Sequence, residues 1–182
     1  MCIRDRDQGV KDVCQQAAAQ GTLVEVANFN CPGQVVIAGL QEGLQAASAL
    51  ALAAGAKKVV PLAVSAPFHS SHMKPAAEKL ALHLQTISMK SPIMPVVSNV
   101  TAAYHGNAEQ IRNLLKQQMF QPVRWRECME FLLAQGAQLF VEAGPGKVLK
   151  GLMKKIQHQT EVWQIEDKAT MENFLASVRE VG

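Results

Sequence analysis

The sequence predicts an α/β fold in two parts, and three observations support it. Residues 8–64 alternate between helical and strand patterns in the order α-β-β-α-β, which is a βαββαβ unit without its first strand. Residues 65–182 continue as strands alternating with helices, an order typical of a mostly parallel sheet. The composition, with 48% hydrophobic and 18% charged residues, is that of a globular protein. We therefore expect a small subdomain at 8–64 and part of a larger one at 65–182.

Turn residues divide the first part into its elements. Gly21 suits the end of the first helical pattern, and Cys31-Pro32-Gly33 separates two strand-like runs that we expect to form a hairpin. Pro61 has no N–H group to offer a ladder, so its strand belongs at an edge or a bulge. The predicted elements are a helix at 8–20, strands at 23–29 and 34–38, a helix ending at Gly55 and a strand at 58–64.

Capping signals organise the second part. Asn107 followed by Gln110 is typical of a helix N-terminus, Pro122 suits the first turn of the next helix, and Gly136 suits its end. The predicted elements are a helix at 73–86, a strand at 94–100, helices at 107–118 and 122–136, a strand at 139–142, a helix after Gly146, a strand at 161–165 and a helix at 170–178.

Composition excludes several classes of protein. A net charge of +3 is too weakly basic to indicate a nucleic-acid partner, and 5% aromatic residues argue against a base-stacking surface. No uncharged apolar run reaches the ~18 residues that a membrane span requires. Four cysteines lie far apart without metal-ligand spacing, so we expect free thiols, no metal site and a cytoplasmic location.

The beginning of the chain is unusual. Residues 1–7 match neither a strand nor a clean helix start. The first strand of a βαββαβ unit is central, and its absence would expose backbone donors and acceptors in mid-sheet. We interpret residues 1–7 as a non-family leader on a truncated gene product, with a frayed natural terminus as the alternative.

His69 is the strongest candidate for chemistry. It follows the predicted strand at 58–64 and precedes a helix, and ligands gather where strands of an open α/β sheet end. Pro67 biases Ala66 toward extended geometry and stiffens the approach to the imidazole, which suits a general base. A solvated or capping histidine is the alternative. His72 has the same two interpretations. The spacing of His69 and His72 could suggest a metal site, but no third ligand lies nearby, so we do not expect one.

Five sequence blocks together resemble malonyl-CoA:acyl carrier protein transacylases. They are NFNCPGQVVIAG at 28–39, APFHS at 66–70, PVVSNV at 95–100, QPVRW at 121–125 and EAGPGKVL at 142–149. Each block is weak alone, but all five occur in order and spacing and cover roughly residues 8–182. The resemblance implies the C-terminal part of an α/β-hydrolase-like large subdomain, with an incomplete ferredoxin-like small subdomain.

The resemblance also implies a reaction and its residues. In this family a serine attacks the malonyl thioester of malonyl-CoA, and the acyl group then passes to the phosphopantetheine thiol of acyl carrier protein. His69 matches the catalytic base, and Gln118 falls where a backbone carbonyl orients the histidine. Phe68 matches a position beside the acyl α-carbon and resembles the malonyl-selective pattern; a core-filling role is its alternative.

The implied partners are malonyl-CoA and acyl carrier protein, with no nucleic acid and no membrane. The family needs no cofactor, since malonyl-CoA is a substrate and the phosphopantetheine belongs to the carrier protein. The full-length parent is expected to be a monomer. A basic helix (Lys147, Lys150, Lys154, Lys155) is either a solvated face or a docking patch for carrier protein or CoA phosphates.

The sequence also departs from the family. It contains no Gly-x-Ser-x-Gly nucleophile elbow, and the family's malonyl-binding arginine and Gly-Gln-Gly motif are missing as well. We therefore expect the isolated chain to be inactive, and a non-catalytic ferredoxin-like binding or regulatory remnant is the alternative function. The turn Gly144-Pro145-Gly146 could cradle a phosphate, but it lacks a P-loop ending and favours a tight strand-to-helix connection.

Overall fold

The structure, a computed structural model, describes residues 7–19 and 21–179 and has an α/β fold, as predicted. Residues 1–6 of the predicted leader lie outside the described part, and Asp7 begins the first helix. The elements are α1 (Asp7–Ala18), β1 (Val24–Cys31), β2 (Gln34–Gly39), α2 (Gln41–Ala53), a 3₁₀ turn (Ser71–Met73), α3 (Lys74–Thr86), β3 (Val97–Ser98), β4 (Ala103–Tyr104), α4 (Ala108–Gln118), α5 (Trp125–Ala134), β5 (Leu139–Ala143), α6 (Val148–Ile156), β6 (Glu161–Ile165) and α7 (Lys168–Arg179).

The chain divides after Cys128 into two compact units, and the division falls within α5. The boundary predicted between residues 64 and 65 lies inside the first unit and stays a prediction. In the described part of the chain the strands form three two-stranded sheets: β1 with β2, β3 with β4, and β5 with β6.

The core of the first unit lies between α1, α2 and the hairpin. Apolar side chains of α1 recur at helical spacing and are buried, which turns one stripe of the helix toward the sheet. The hairpin is antiparallel, and Gly33 at its turn has a φ of 74° that favours glycine. The buried cluster consists of Val10, Val13, Cys14, Ala17, Val24, Phe29, Val35, Ala47, Ala51 and Ala56.

The second unit contains the parallel pair. β5 and β6 run parallel with Leu139 opposite Glu161, as the strand-helix alternation predicts. Helices α6 and α7 both contact β6. The Trp163 and Phe174 rings pack in an edge-to-face arrangement, with 5.6 Å between their centroids. This contact packs α7 against β6.

Two strand predictions were wrong. Residues 58–64 form no strand, and Val60, Leu62 and Val64 are exposed. In the predicted strand at 94–100, only Val97–Ser98 pairs, with Ala103–Tyr104. A strand needs a neighbouring strand along its length, and among the described residues only Val97–Ser98 has one. Elsewhere these runs make single hydrogen bonds, such as that from the His105 N–H to the Val96 carbonyl at 2.7 Å.

The predicted start of α5 at Pro122 was also wrong. The helix begins at Trp125, three residues later. Val123 is extended and bridges β1, donating its N–H to the carbonyl of Ala27 and accepting the N–H of Phe29, both at 2.8 Å. These tertiary hydrogen bonds outweigh the local preference of proline for a helical first turn.

Burial makes two thiols weak acids, which predicts slow alkylation. Desolvation by burial is the first cause that raises the pKa of Cys14 and of Cys128 to about 11, from 9.0. At pH 8 we expect iodoacetamide to react about a hundredfold more slowly with these thiols in the folded chain than after denaturation, because the thiolate is the nucleophile. Peptide mass spectrometry gives the rates, and equal rates in both states would contradict the burial.

The same shifts give a pH dependence of stability. The folded pKa lies above the unfolded one, so the stabilisation is fully present below pH 9 and is lost as the pH rises toward 11. A denaturation series between pH 8 and pH 11 should therefore show the free energy of unfolding falling.

Within the residues described, no helix combines the length and apolarity needed to cross a bilayer.

Candidate active site

His69 lies in a strained turn immediately before α3. Its φ is 60°, in the left-handed region that residues other than glycine rarely adopt. Residues with such strained backbone angles cluster at functional sites. Ser70 is 1% exposed, and its hydroxyl donates a 2.6 Å hydrogen bond to the carbonyl of Pro67. The N–H of His69 donates to the carbonyl of Met119 at 3.2 Å. The backbone is thus fixed on both sides of the imidazole.

The imidazole is oriented by a backbone carbonyl. Nδ1 of His69 lies 2.8 Å from the carbonyl oxygen of Gln118, the partner that the resemblance implies. A carbonyl only accepts, so Nδ1 carries a proton, and in the neutral imidazole the lone pair is then on Nε2. The side-chain Nε2 of Gln118 lies 3.4 Å from His69 Nδ1. It cannot donate a hydrogen bond there, because a protonated Nδ1 is not an acceptor. This tautomer is the one a general base requires, while the catalytic role itself stays a prediction.

Pro122 explains why the Gln118 carbonyl is available. The last four carbonyls of a helix lack N–H partners within the helix, and Gln118 ends α4. The N–H that would continue the helix to Gln118 belongs to residue 122, and proline has none. The corresponding partner of Met119 is Val123, whose N–H is taken by Ala27. Two freed carbonyls therefore face the His69 loop, a role of Met119 and Pro122 that sequence reasoning missed.

Phe68 and His72 flank His69 differently. Phe68 is 46% exposed, so in the described structure it does not fill the core, and its proposed contact with substrate stays a prediction. Nε2 of His72 is buried and has no hydrogen-bond partner among the described residues. Nowhere in residues 7–19 and 21–179 do three or more potential metal ligands come together.

The glycine turn before α6 already holds carboxylates. Glu142 accepts the N–H of Leu149 at 3.0 Å and of Lys150 at 2.8 Å, and Glu166 accepts that of Gly146 at 3.3 Å. These amides are the donors that a phosphate would use. Their occupation by side chains favours the tight strand-to-helix connection over the phosphate cradle.

A separate cleft of about 620 Å³ lies between α1, β1 and residues 122–127. His69 is not among its lining residues. Its Arg124 guanidinium pairs with Glu127, and this hydrogen bond is the main cause that lowers the pKa of that carboxyl. The Lys11 ammonium stands 5.4 Å from the ring centroid of Phe29. The charged side chains of the cleft therefore already contact other residues of the cleft. Because His69 does not line it, the cleft is not the candidate active site.

Comparison with known proteins identifies the class. The chain belongs to the acyl transferase domain family, whose model matches residues 5–174.

The curated relatives give a more specific match than the family model, because they are named malonyl CoA-acyl carrier protein transacylase. They confirm the resemblance predicted from the sequence. The protein from Bacillus subtilis (strain 168) is 42% identical, over 95% of this chain and 55% of its own length. That from Escherichia coli (strain K12) is 47% identical, over 82% of this chain and 48% of its own. The chain thus spans about half the length of the curated relatives it matches.

Solved structures show the same likeness. An acyl carrier protein S-malonyltransferase from Vibrio cholerae matches with a TM-score of 0.91 and 41% identity, over 95% of this chain and 56% of that one. A malonyl-transacylase in complex with a type II PKS acyl-carrier protein matches with a TM-score of 0.92 and 43% identity, over 97% of this chain and 57% of that one.

Proposed function

We propose that this chain supplies the general base of a malonyl transferase, which moves malonyl from malonyl-CoA to the phosphopantetheine thiol of acyl carrier protein. The observation that carries the proposal is the 2.8 Å contact of His69 Nδ1 with the Gln118 carbonyl, which leaves Nε2 as the proton acceptor. The names of the relatives and the solved complex with a carrier protein support the substrate and the partner. A cytoplasmic location and a monomeric parent remain expectations.

His69 would act in both half-reactions. Nε2 accepts the proton of a serine hydroxyl while the serine oxygen attacks the thioester carbonyl, and the imidazolium then protonates the departing CoA thiolate. In the second half-reaction Nε2 accepts the proton of the phosphopantetheine thiol, the thiolate attacks the malonyl ester, and the released serine oxygen takes the proton back. The Gln118 carbonyl stabilises the imidazolium in each step. The serine is not in these 182 residues, which contain no Gly-x-Ser-x-Gly motif.

In this proposal the chain contributes to two subdomains of a larger domain. Residues 8–64 form the ferredoxin-like small subdomain without its first strand, and 65–182 form part of the α/β-hydrolase-like large subdomain. Exposed apolar side chains in the extended runs support this proposal, since such runs are stable when neighbouring strands cover them. The most exposed are Val60 at 51%, Leu62 at 57%, Val64 at 65%, Ile93 at 103% and Met94 at 75%.

A chimera tests the function directly. The 173 residues of the Bacillus subtilis relative that match this chain are replaced by the corresponding residues of the chain. We expect the chimera to form a malonyl-enzyme with malonyl-CoA and to transfer malonyl to holo acyl carrier protein, whereas the isolated chain forms none. Intact mass spectrometry detects both products. A folded chimera without transfer would overturn the proposal and favour the non-catalytic remnant, which the missing nucleophile elbow supports.

Phe68 is expected to set the preference for malonyl over methylmalonyl. A ring beside the acyl α-carbon leaves little room for a methyl group, and one methyl in a pocket changes discrimination by about 10- to 200-fold. In the chimera, Phe68→Ser should raise the methylmalonyl-to-malonyl ratio of kcat/KM by about tenfold. Phe68→Leu keeps apolar bulk and serves as the control with a smaller change. An unchanged ratio in the serine variant would refute the assignment.

Helix α6, together with its N-cap residue Lys147, is the proposed docking surface for acyl carrier protein. Lys147 and Lys154 are exposed, and an acidic partner would be steered by their charge. In the chimera, reversing both charges to Glu should raise the KM for carrier protein several-fold and affect the KM for malonyl-CoA less. The effect should shrink at high salt. Reversing the exposed pair Lys57 and Lys58 to Glu is the matched control, and an equal rise there would argue for a nonspecific charge effect.

A further inference from the structure

The His69 turn is tied to the hairpin by one carboxylate. Glu25 lies on β1, and its Oε2 accepts the backbone N–H of Ser71 at 2.6 Å, across 46 positions of sequence. Ser71 begins the 3₁₀ turn that leads into α3, and it stands two residues after His69. The first N–H groups of a helical turn have no partner within it, so Glu25 fills a position the local chain leaves open.

This hydrogen bond complements the contacts on the other side of the imidazole. The carbonyls of Gln118 and Met119 hold the ring and the amide of His69, while Glu25 holds the amide two residues later. A left-handed residue is costly and persists only where its surroundings determine it. Without the Glu25 bond, the Ser70 hydroxyl and the Met119 carbonyl still contact the turn, but the Ser71 amide loses its partner and the His69 backbone can relax toward ordinary φ values. Relaxation moves Nδ1 away from the Gln118 carbonyl.

We propose that Glu25 is a positioning residue, which holds His69 in the left-handed turn and thereby keeps the imidazole in its Nδ1–H tautomer. Its service to a catalytic base rests on the proposed function, whereas its effect on the tautomer does not. Glu25 acts through the backbone of Ser71 and needs no contact with substrate. A carboxylate acceptor makes this hydrogen bond stronger than one between neutral groups.

The tautomer is measured on the chain itself. ¹⁵N NMR of the His69 ring distinguishes Nδ1–H from Nε2–H, and the wild-type chain should show Nδ1–H. Glu25→Ala is expected to lose this signature and to raise the hydrogen-exchange rate of the His69 amide by about tenfold. Glu25→Gln retains an acceptor oxygen and should keep the tautomer. Glu25→Val, favourable in a strand, provides a second removal of the carboxylate if the alanine variant unfolds.

Glu42 provides the matched control, because it is an exposed carboxylate on α2. Glu42→Ala should leave the His69 tautomer unchanged. The proposal is overturned if folded Glu25→Ala or Glu25→Val keeps the Nδ1–H signature, or if Glu42→Ala loses it too. In the chimera, Glu25→Ala should lower kcat up to about a hundredfold with little change in KM for malonyl-CoA, and Glu25→Gln should restore it. An inactive chimera with an intact tautomer effect would sink the proposed function alone.

Discussion

Replacing His69 with alanine in the chimera is expected to lower kcat/KM for malonyl transfer by about 10²- to 10⁴-fold. The variant loses the group that accepts the proton of the nucleophile and returns it to the leaving group. The ring also hydrogen-bonds the Gln118 carbonyl, but this helix end is only partly buried, so water can replace the lost partner. Transfer of labelled malonyl to carrier protein gives the rate, and intact mass spectrometry gives the amount of malonyl-enzyme.

His83→Ala is the matched control, because His83 is an exposed histidine near the end of α3. It should keep the activity of the chimera. A loss of less than tenfold in His69→Ala, with the protein folded, would show that another group takes the proton. Equal losses in both variants would mean that alanine substitution disturbs α3 rather than the chemistry.

Local signals were enough for much of the secondary structure. The α1 stripe of Val10, Val13, Cys14 and Ala17 is buried as its spacing predicts, because each helix turn repeats the same face. The Asn107 side chain accepts the N–H of Gln110 at 3.0 Å and caps α4 as predicted. Each of these features depends on neighbours three or four positions apart, which a sequence displays directly.

Features that need a distant partner were not predicted correctly. The runs at 58–64 and 94–100 have strand-like composition, but composition does not supply the neighbour that a ladder requires. The start of α5 moved because Val123 bonds to β1, almost a hundred residues earlier in the chain. In both cases tertiary hydrogen bonding decides the outcome.

The candidate site shows the same limit. The motif around His69 was visible, and the resemblance supplied Gln118, but the left-handed turn and the Met119 and Glu25 contacts were not visible. One signal could have been used. A proline four residues after a helix residue removes that residue's hydrogen-bond donor, so Pro122 marks the Gln118 carbonyl as free.

The largest loss of stability is expected from Phe29→Ala. Phe29 is 8% exposed in the core of the first unit, and the Lys11 ammonium lies over its ring. Truncating a buried phenylalanine costs about 3–5 kcal/mol, a large share of the roughly 5–15 kcal/mol that folded domains possess. Urea denaturation followed by circular dichroism should show this drop in the free energy of unfolding.

Leu52→Ala separates burial from the mere loss of an apolar side chain. Leu52 is 54% exposed on α2, so its truncation should change the free energy of unfolding by less than about 0.5 kcal/mol. The consequence reaches the site, because β1 carries both Phe29 and Glu25 and also bridges the segment after Gln118. If Phe29→Ala cost no more than Leu52→Ala, the hairpin would not be packed on α1 and α2, and it could not hold the His69 turn.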